Sequence, residues 1–247
     1  MAALARLPAD PRALAAALPD LPRWVETRGL LLSGAAIVRP GASAGDALVL
    51  DPVLPAGYLV GQVDAALLQD ALHGVSVDFE LVVQIDALDA ARAALSGWRV
   101  VTATVLSPAR PWRAGGGAEP GVVVCEPPEE RWLARLPEAD DVRRYAALAA
   151  AIAVRVVDDE VVAVCAAGDV TETLWDVGID TVPGHRRRGH AAAAFRALAA
   201  HMARAGRQPV WGAQDDNVAS LALAARLGFE PVDRLALLSP APPSGRR

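Results

Sequence analysis

Val182-Pro183-Gly184-His185-Arg186-Arg187-Arg188-Gly189-His190-Ala191-Ala192-Ala193-Ala194 is the stretch on which the fold turns. A β-rich run ends at Val182, Pro183 and Gly184 make a turn, three arginines follow, and Gly189 opens an alanine-rich helix. The first N–H groups of a helix have no intrahelical partners and carry partial positive charge. Small residues at Gly189 and Ala191 let a ligand approach those amides, and Arg186, Arg187 and Arg188 add formal charge. Three cations at the positive end of a helix are a misfit that a bound anion resolves. The stretch has the chemistry of a pyrophosphate cradle.

The flanking sequence supplies the layer that would carry such a cradle. Residues 152–157 and 161–167 are β-branched runs around Asp158, Asp159 and Glu160, an antiparallel hairpin, and 173–182 is a third strand. Downstream, 189–204 is a helix with Phe195, Leu198 and Met202 on one face, and 209–212 is a short strand. A helix capped by Asp216 or Asn217 runs to Leu227, Gly228 stops it, and 231–238 returns as a strand. This order predicts a mixed, mostly antiparallel α/β sheet flanked by helices.

The first half repeats part of this order. Asp10-Pro11 opens a helix, 63–72 forms another, 79–85 is a strand, a helix runs from Asp89 towards Gly97, and 98–106 is a strand. Gly97-Trp98 and Gly228-Phe229 stand at the same place in their αβ units, which raises internal duplication into two tandem halves. Residues 107–128 are punctuated by Pro and Gly apart from a short valine run at 122–124. The expected division is 1–107, an N-terminal α/β domain; 108–128, a linker; and 129–247, the domain carrying the cradle.

Composition bounds the chemistry. The 247 residues carry 24 basic side chains, all arginine, against 29 acidic ones, for a net charge of -5. Without lysine there is no Schiff-base nucleophile and no P-loop lysine, so any phosphate must be held by arginine and backbone amides. The acidic balance argues against a nucleic-acid partner. Cys125 and Cys165 make neither a disulfide framework nor a zinc site, and no metal is expected. The longest apolar run, 145–154, is too short to span a bilayer, so no membrane partner is expected. Arg6 and the prolines near Met1 stand where a signal peptide would carry an apolar core. A cytoplasmic monomer or homodimer is the expectation.

The spacing Arg186-x-x-Gly189-x-Ala191 resembles the Q/R-x-x-G-x-G/A acetyl-CoA signature of the GNAT (GCN5-related) N-acetyltransferases. Gly178-Ile179-Asp180-Thr181, Pro209-Val210-Trp211, Asn217-x-x-Ser220 and Leu227-Gly228-Phe229 follow in order, and the combined string is similar to the FR47-like subgroup. The resemblance covers about 152–238. It implies acetyl-CoA as acyl donor, held by Thr181, Val182, Arg186, Arg187, Arg188, Gly189, His190, Ala191, Asn217 and Ser220. It also implies direct attack by an amine of a small molecule or peptide.

In the family the acceptor's proton usually passes to a carboxylate on or beside the strand before the cradle. Glu172 and Asp176 are the candidate bases, with Asp180 nearer the strand end. All three share one face of an ideal strand, so spacing does not choose among them. The oxyanion donor would be a strand amide near Thr181 or Val182. Many relatives carry a thiolate-protonating tyrosine seven residues after the Asn; Ala224 stands there, leaving Ser220, water or no acid at all. The departure keeps a second reading open, a non-catalytic acyl-CoA-binding or interaction module of degenerate fold.

Overall fold

Eleven strands among the described residues join into one sheet, although the sequence reads as two units. The computed structural model describes residues 10–43, 45–62, 64–115, 119–136 and 140–242. In the first half, Asp10 caps α1 (Pro11–Ala17) by accepting from the Arg12 amide. Helix α2 (Val25–Ser33) follows, then strands β1 (Ile37–Pro40), β2 (Ala47–Leu50) and β3 (Ala56–Val60). Helix α3 (Ala65–Ala71) is capped by Asp64, and β4 (Glu80–Gln84), α4 (Leu88–Ala94) and β5 (Arg99–Pro108) complete the half. Val63, at the start of the expected 63–72 helix, lies outside the described residues.

The second half comprises β6 (Val122–Cys125), α5 (Glu130–Leu133), α6 (Asp140–Leu148), β7 (Ala151–Val157), β8 (Glu160–Val170) and β9 (Leu174–Thr181). It ends with α7 (His190–Arg204), β10 (Gln208–Gln214), α8 (Val218–Arg226) and β11 (Phe229–Ser239). The hairpin, third strand, helix, strand, helix and returning strand expected from sequence are all present. The valine run expected inside the linker is strand β6, which satisfies its backbone by pairing antiparallel with β7.

The pairing repeats along with the order. Strands β1, β2 and β3 are antiparallel neighbours and β3 is parallel to β4; β7, β8 and β9 are antiparallel and β9 is parallel to β10. The last strand of each half then crosses over. β11 pairs with β4, β5 pairs with β10, and β5 and β11 pair with each other at the centre of the sheet. Each half completes the other.

Packing follows from the pleat. Trp175 and Val177 of β9 point towards α7, where Phe195 packs against Trp175, Trp211 and Phe229 at centroid separations of 5.6–6.1 Å. The opposite face collects α1 and α2 with Val49, Tyr58, Val82, Val105 and Val210. Strand β9 pairs with β10 only from Leu174 to Asp176; beyond Val210, β10 pairs with β5 instead. The two parallel strands therefore part, leaving the edge of β9 open from Val177 to the cradle.

Candidate active site

The cradle sits where the open edge of β9 ends. Pro183–His185 form a single 3-10 turn, Arg187 takes a left-handed backbone (φ 62°), and Gly189 caps α7 with φ 83°. Among the described residues no side chain caps α7, so its first amides stay available, and a Cβ built on Gly189 meets none of them within 4 Å. The space above the helix start is open to a ligand. His185 Nδ1 is buried there without a partner among the described residues, and the His185 and His190 rings lie 5.9 Å apart. Burial, with help from Arg155, His185 and Arg188, lowers the His190 pKa, which favours the neutral ring.

The cradle arginines are not equivalent. Arg186 folds back on β9, donating from Nε to the Thr181 carbonyl at 3.0 Å with Asp180 3.9 Å away. Arg187 and Arg188 are exposed. The two strand amides also differ, because Val182 N–H donates to Val162 O at 3.0 Å and is used up. Alternation then turns the amide of Thr181, the other of the two expected, to the open edge.

The carboxylates separate by surroundings. Arg28 of α2 binds Glu172 in a fork, Nε to Oε2 at 2.9 Å and Nη2 to Oε1 at 2.7 Å. This hydrogen bonding holds the Glu172 carboxyl below the usual range. Glu172, one of the candidate bases, is thus half of an ion pair that ties α2 to the turn before β9. A carboxylate already saturated by a guanidinium is a weak proton acceptor.

Asp176 is placed differently. It is the last residue of β9 paired with β10, facing away from α7, and the Tyr145 hydroxyl of α6 donates to its Oδ2 at 2.9 Å. Burial raises its pKa to about 6, with the Tyr145 bond and a backbone amide pulling the other way. The Glu26 carboxyl of α2 is raised further, first by burial and then by Asp176 and Glu80. Gly168 and Gly178 make room for Tyr145: Cβ atoms there would stand 2.1 Å from its hydroxyl and 1.9 Å from its ring.

On α8 the expected cap is present. Asn217 Oδ1 accepts from the Ser220 amide at 3.1 Å, while Ser220 Oγ accepts from Trp211 Nε1 at 2.9 Å. Ser220 keeps its hydroxyl proton free to donate; Ala224 is fully buried and offers none. Cys165 is buried and desolvation pushes its thiol pKa up, an inert core thiol. A groove of about 770 Å³ between Trp112, Arg113, Arg196 and Arg204 touches neither the cradle nor Asp176.

The corresponding place in the first half is closed. Where β3 meets α3, Gln62 N–H donates to Asp46 Oδ1 at 2.8 Å, and a Cβ on Gly61 would stand 2.2 Å from that same oxygen. Asp64 caps the helix. Two carboxylates occupy the anion-binding end, and an incoming phosphate would meet like charge.

Residues 140–238 match the family model described as GNAT acetyltransferase. This part of the chain is similar to a GNAT acetyltransferase domain. The match is at the level of the family rather than the FR47-like subgroup. The fold extends beyond it. A GNAT-family putative acetyltransferase from Novosphingobium aromaticivorans superposes with TM-score 0.65 at 20% identity, covering 90% of this chain and 100% of that one. A GCN5-related N-acetyltransferase-like protein from Streptococcus suis gives 0.67 at 19%, covering 92% and 96%. A tandem GNAT protein from the clavulanic acid biosynthesis pathway gives 0.55 at 16%, covering 96% and 94%. The two-half architecture is therefore shared with solved GNAT proteins. No protein of curated function matches the chain in sequence.

The residues beside Asp176 that sequence reasoning missed are Tyr145 and Glu26. They lie on elements distant in sequence from the cradle, and only the glycines facing Tyr145 carried a local trace of it.

Proposed function

We propose that the protein is an N-acyltransferase that moves an acetyl group from acetyl-CoA to an amine by direct attack, using the site in its second half. The observation that carries this is Asp176, set where β9 and β10 part and oriented by Tyr145. The cradle fits an acyl-CoA pyrophosphate: amides of α7 are uncapped, Gly189 leaves open space, and Arg187, Arg188 and His190 flank it. Bound there, acetyl-CoA supplies an activated thioester carbonyl.

The chain's own groups then have defined tasks. Asp176, ionised at neutral pH, accepts the proton of the acceptor ammonium or attacking amine. Tyr145 holds the carboxylate in one orientation and stays protonated, its pKa raised by burial and the nearby acids. The Thr181 amide on the open edge is the donor for charge building on the carbonyl oxygen. Ser220, fixed by Trp211, is the donor available to the leaving sulfur, with Asn217 beside it at the head of α8.

The division at 108–128 serves in this reading as the seam between two repeats, the first with a closed cradle and a structural role. Release of CoA from acetyl-CoA across a panel of amines tests the assignment. Turnover that Asp176→Asn abolishes supports it; CoA binding without turnover on any amine would instead favour a binding module.

A further inference from the structure

We propose that the groove between α7 and residues 109–115 is a binding site for a small alkyl carboxylate, separate from the cradle and from Asp176. It rests on neither the acyl-CoA nor the acyl-transfer assignment.

The groove holds about 770 Å³, within the range of about 300–1,000 Å³ in which pockets take small organic molecules. Its outer wall is tied in place. Ala109 N–H donates to Gly228 O at 2.9 Å, and Gln208 clamps the Trp112 backbone, its Oε1 accepting from the amide at 2.7 Å and its Nε2 donating to the carbonyl at 3.2 Å. The Trp112 ring stands edge-on to Phe195 at a centroid separation of 5.1 Å. An irregular segment whose backbone is satisfied at these points stands off α7 instead of collapsing onto it.

Floor and rim differ in chemistry. Val122, Val124, Ala197 and Leu227 are partly buried and continuous with the core around Phe195, so the floor is aliphatic. Above it stand Arg110, Arg113, Arg196 and Arg204, all exposed, against one acid among the described residues, Glu119. Glu119 pairs with Arg196, and Arg204 donates to the His201 ring at 2.7 Å, behind which lies Glu126. Arg110 and Arg113 enter no ion pair among the described residues. In a chain of net charge -5 this is a local excess of positive charge set over an apolar surface. Such a groove complements a molecule with an apolar body and an anionic end. The planar fork of a guanidinium matches a carboxylate. Arg196 and Arg204 stand eight residues apart on α7, about 12 Å along its axis, so an alkyl chain can lie along Ala197 and Ala200 with its carboxylate at the rim.

Calorimetry on the full chain with decanoate, decylamine and acetate tests this. Decanoate is expected to bind at least about tenfold more tightly than either of the others. Ala200→Trp, which fills the floor, and Arg113→Glu, which reverses a rim charge, are each expected to weaken decanoate at least about tenfold, with the melting temperature as the check on folding. Arg113 is exposed, so its variant decides the test should Ala200→Trp unfold. Gly189→Glu, in the cradle, is expected to leave decanoate binding unchanged. Equal binding of decanoate and decylamine, acetate as tight as decanoate, affinity that survives the groove substitutions, decanoate binding lost with Gly189→Glu, or an acidic peptide bound more tightly than decanoate would overturn the proposal. The two readings fail separately: absence of CoA binding or of acetyl transfer sinks the assignment of the cradle and leaves decanoate binding where it was.

Discussion

Tyr145 reaches across 31 residues of chain to donate its hydroxyl proton to Asp176 Oδ2 at 2.9 Å. The bond stabilises the ionised carboxylate against a burial that favours the neutral acid, leaving Asp176 with a pKa of about 6. Acetyl transfer should therefore rise with pH through about 6 as the base loses its proton. Asp176→Asn should cost about 10²–10⁴-fold in kcat while leaving CoA affinity intact. Tyr145→Phe removes a stabiliser of the ionised form, so the acidic limb of kcat/KM should move to higher pH; an unmoved limb would detach Tyr145 from the base.

Gly178 is where this geometry is most exposed to a single methyl group. A Cβ there would stand 1.9 Å from the Tyr145 ring, so the ring must leave its place over β9. Gly178→Ala should destabilise the protein by about 1–3 kcal/mol and lower kcat at least as far as Tyr145→Phe. Thermal unfolding and steady-state rates together check it; normal activity would show that Tyr145 can reposition freely.

Glu172 provides the contrast. Its carboxylate is gripped by Arg28 and serves the attachment of α2, so Glu172→Gln should leave kcat nearly unchanged and cost about 1 kcal/mol of stability. Hydrogen bonding to Arg28 lowers the Glu172 pKa, so this contribution is present above the ordinary carboxylate pKa and disappears as pH falls through the lowered one. A kcat loss as large as that of Asp176→Asn would restore Glu172 as the base.

The closed cradle in the first half sets the stoichiometry. With Asp46 Oδ1 accepting the Gln62 amide and Asp64 capping α3, one CoA is expected per chain, and Gly189→Glu should abolish it. Calorimetry reading two sites, or one site indifferent to Gly189→Glu, would reverse the assignment of halves.

How much of this could be read from the sequence depended on range. The cradle, the Asn217 cap and the Gly228 stop are decided by neighbours within a few residues, and the structure has them where the residues indicate. The crossing of β5 and β11 was not legible. Leu235 and Ala103 face each other because each strand completes the other half's sheet, and nothing near either residue encodes that choice. Glu26 was hidden similarly: α2 carries a weak apolar pattern, and its position over β8 depends on Gly29 meeting Asp169. The Gly168 and Gly178 pair, glycines inside strands rather than turns, was the one local sign that a bulky side chain lies across β8 and β9.

Crossed strands also imply that the halves unfold together. Because β11 lies between β4 and β5, removing it strips partners from both halves, and truncation after Gly228 should unfold the whole chain rather than the second half alone. Hydrogen exchange should show β4 and β10 opening as one unit; a protected first half in the truncated chain would contradict this.

Glu26 should reveal the cost of burying a carboxyl near Asp176. Burial and the charges of Asp176 and Glu80 raise its pKa from 4.5 to about 8. Below the ordinary value both folded and unfolded chains hold the proton, and the residue is neutral to stability. As pH rises from there towards 8 the unfolded chain ionises while the folded one does not, so native stability is progressively lost through that window and the loss is complete above it. Glutamine has no such proton. Glu26→Gln should therefore match the parent in stability near pH 4.5 and exceed it by about 1–3 kcal/mol at pH 8, roughly 2–4 °C in Tm for each kcal/mol. Melting curves at the two pH values decide the matter: a variant that is less stable at pH 8 would mean that Glu26 holds a structural hydrogen bond worth more than the cost of burying its carboxyl.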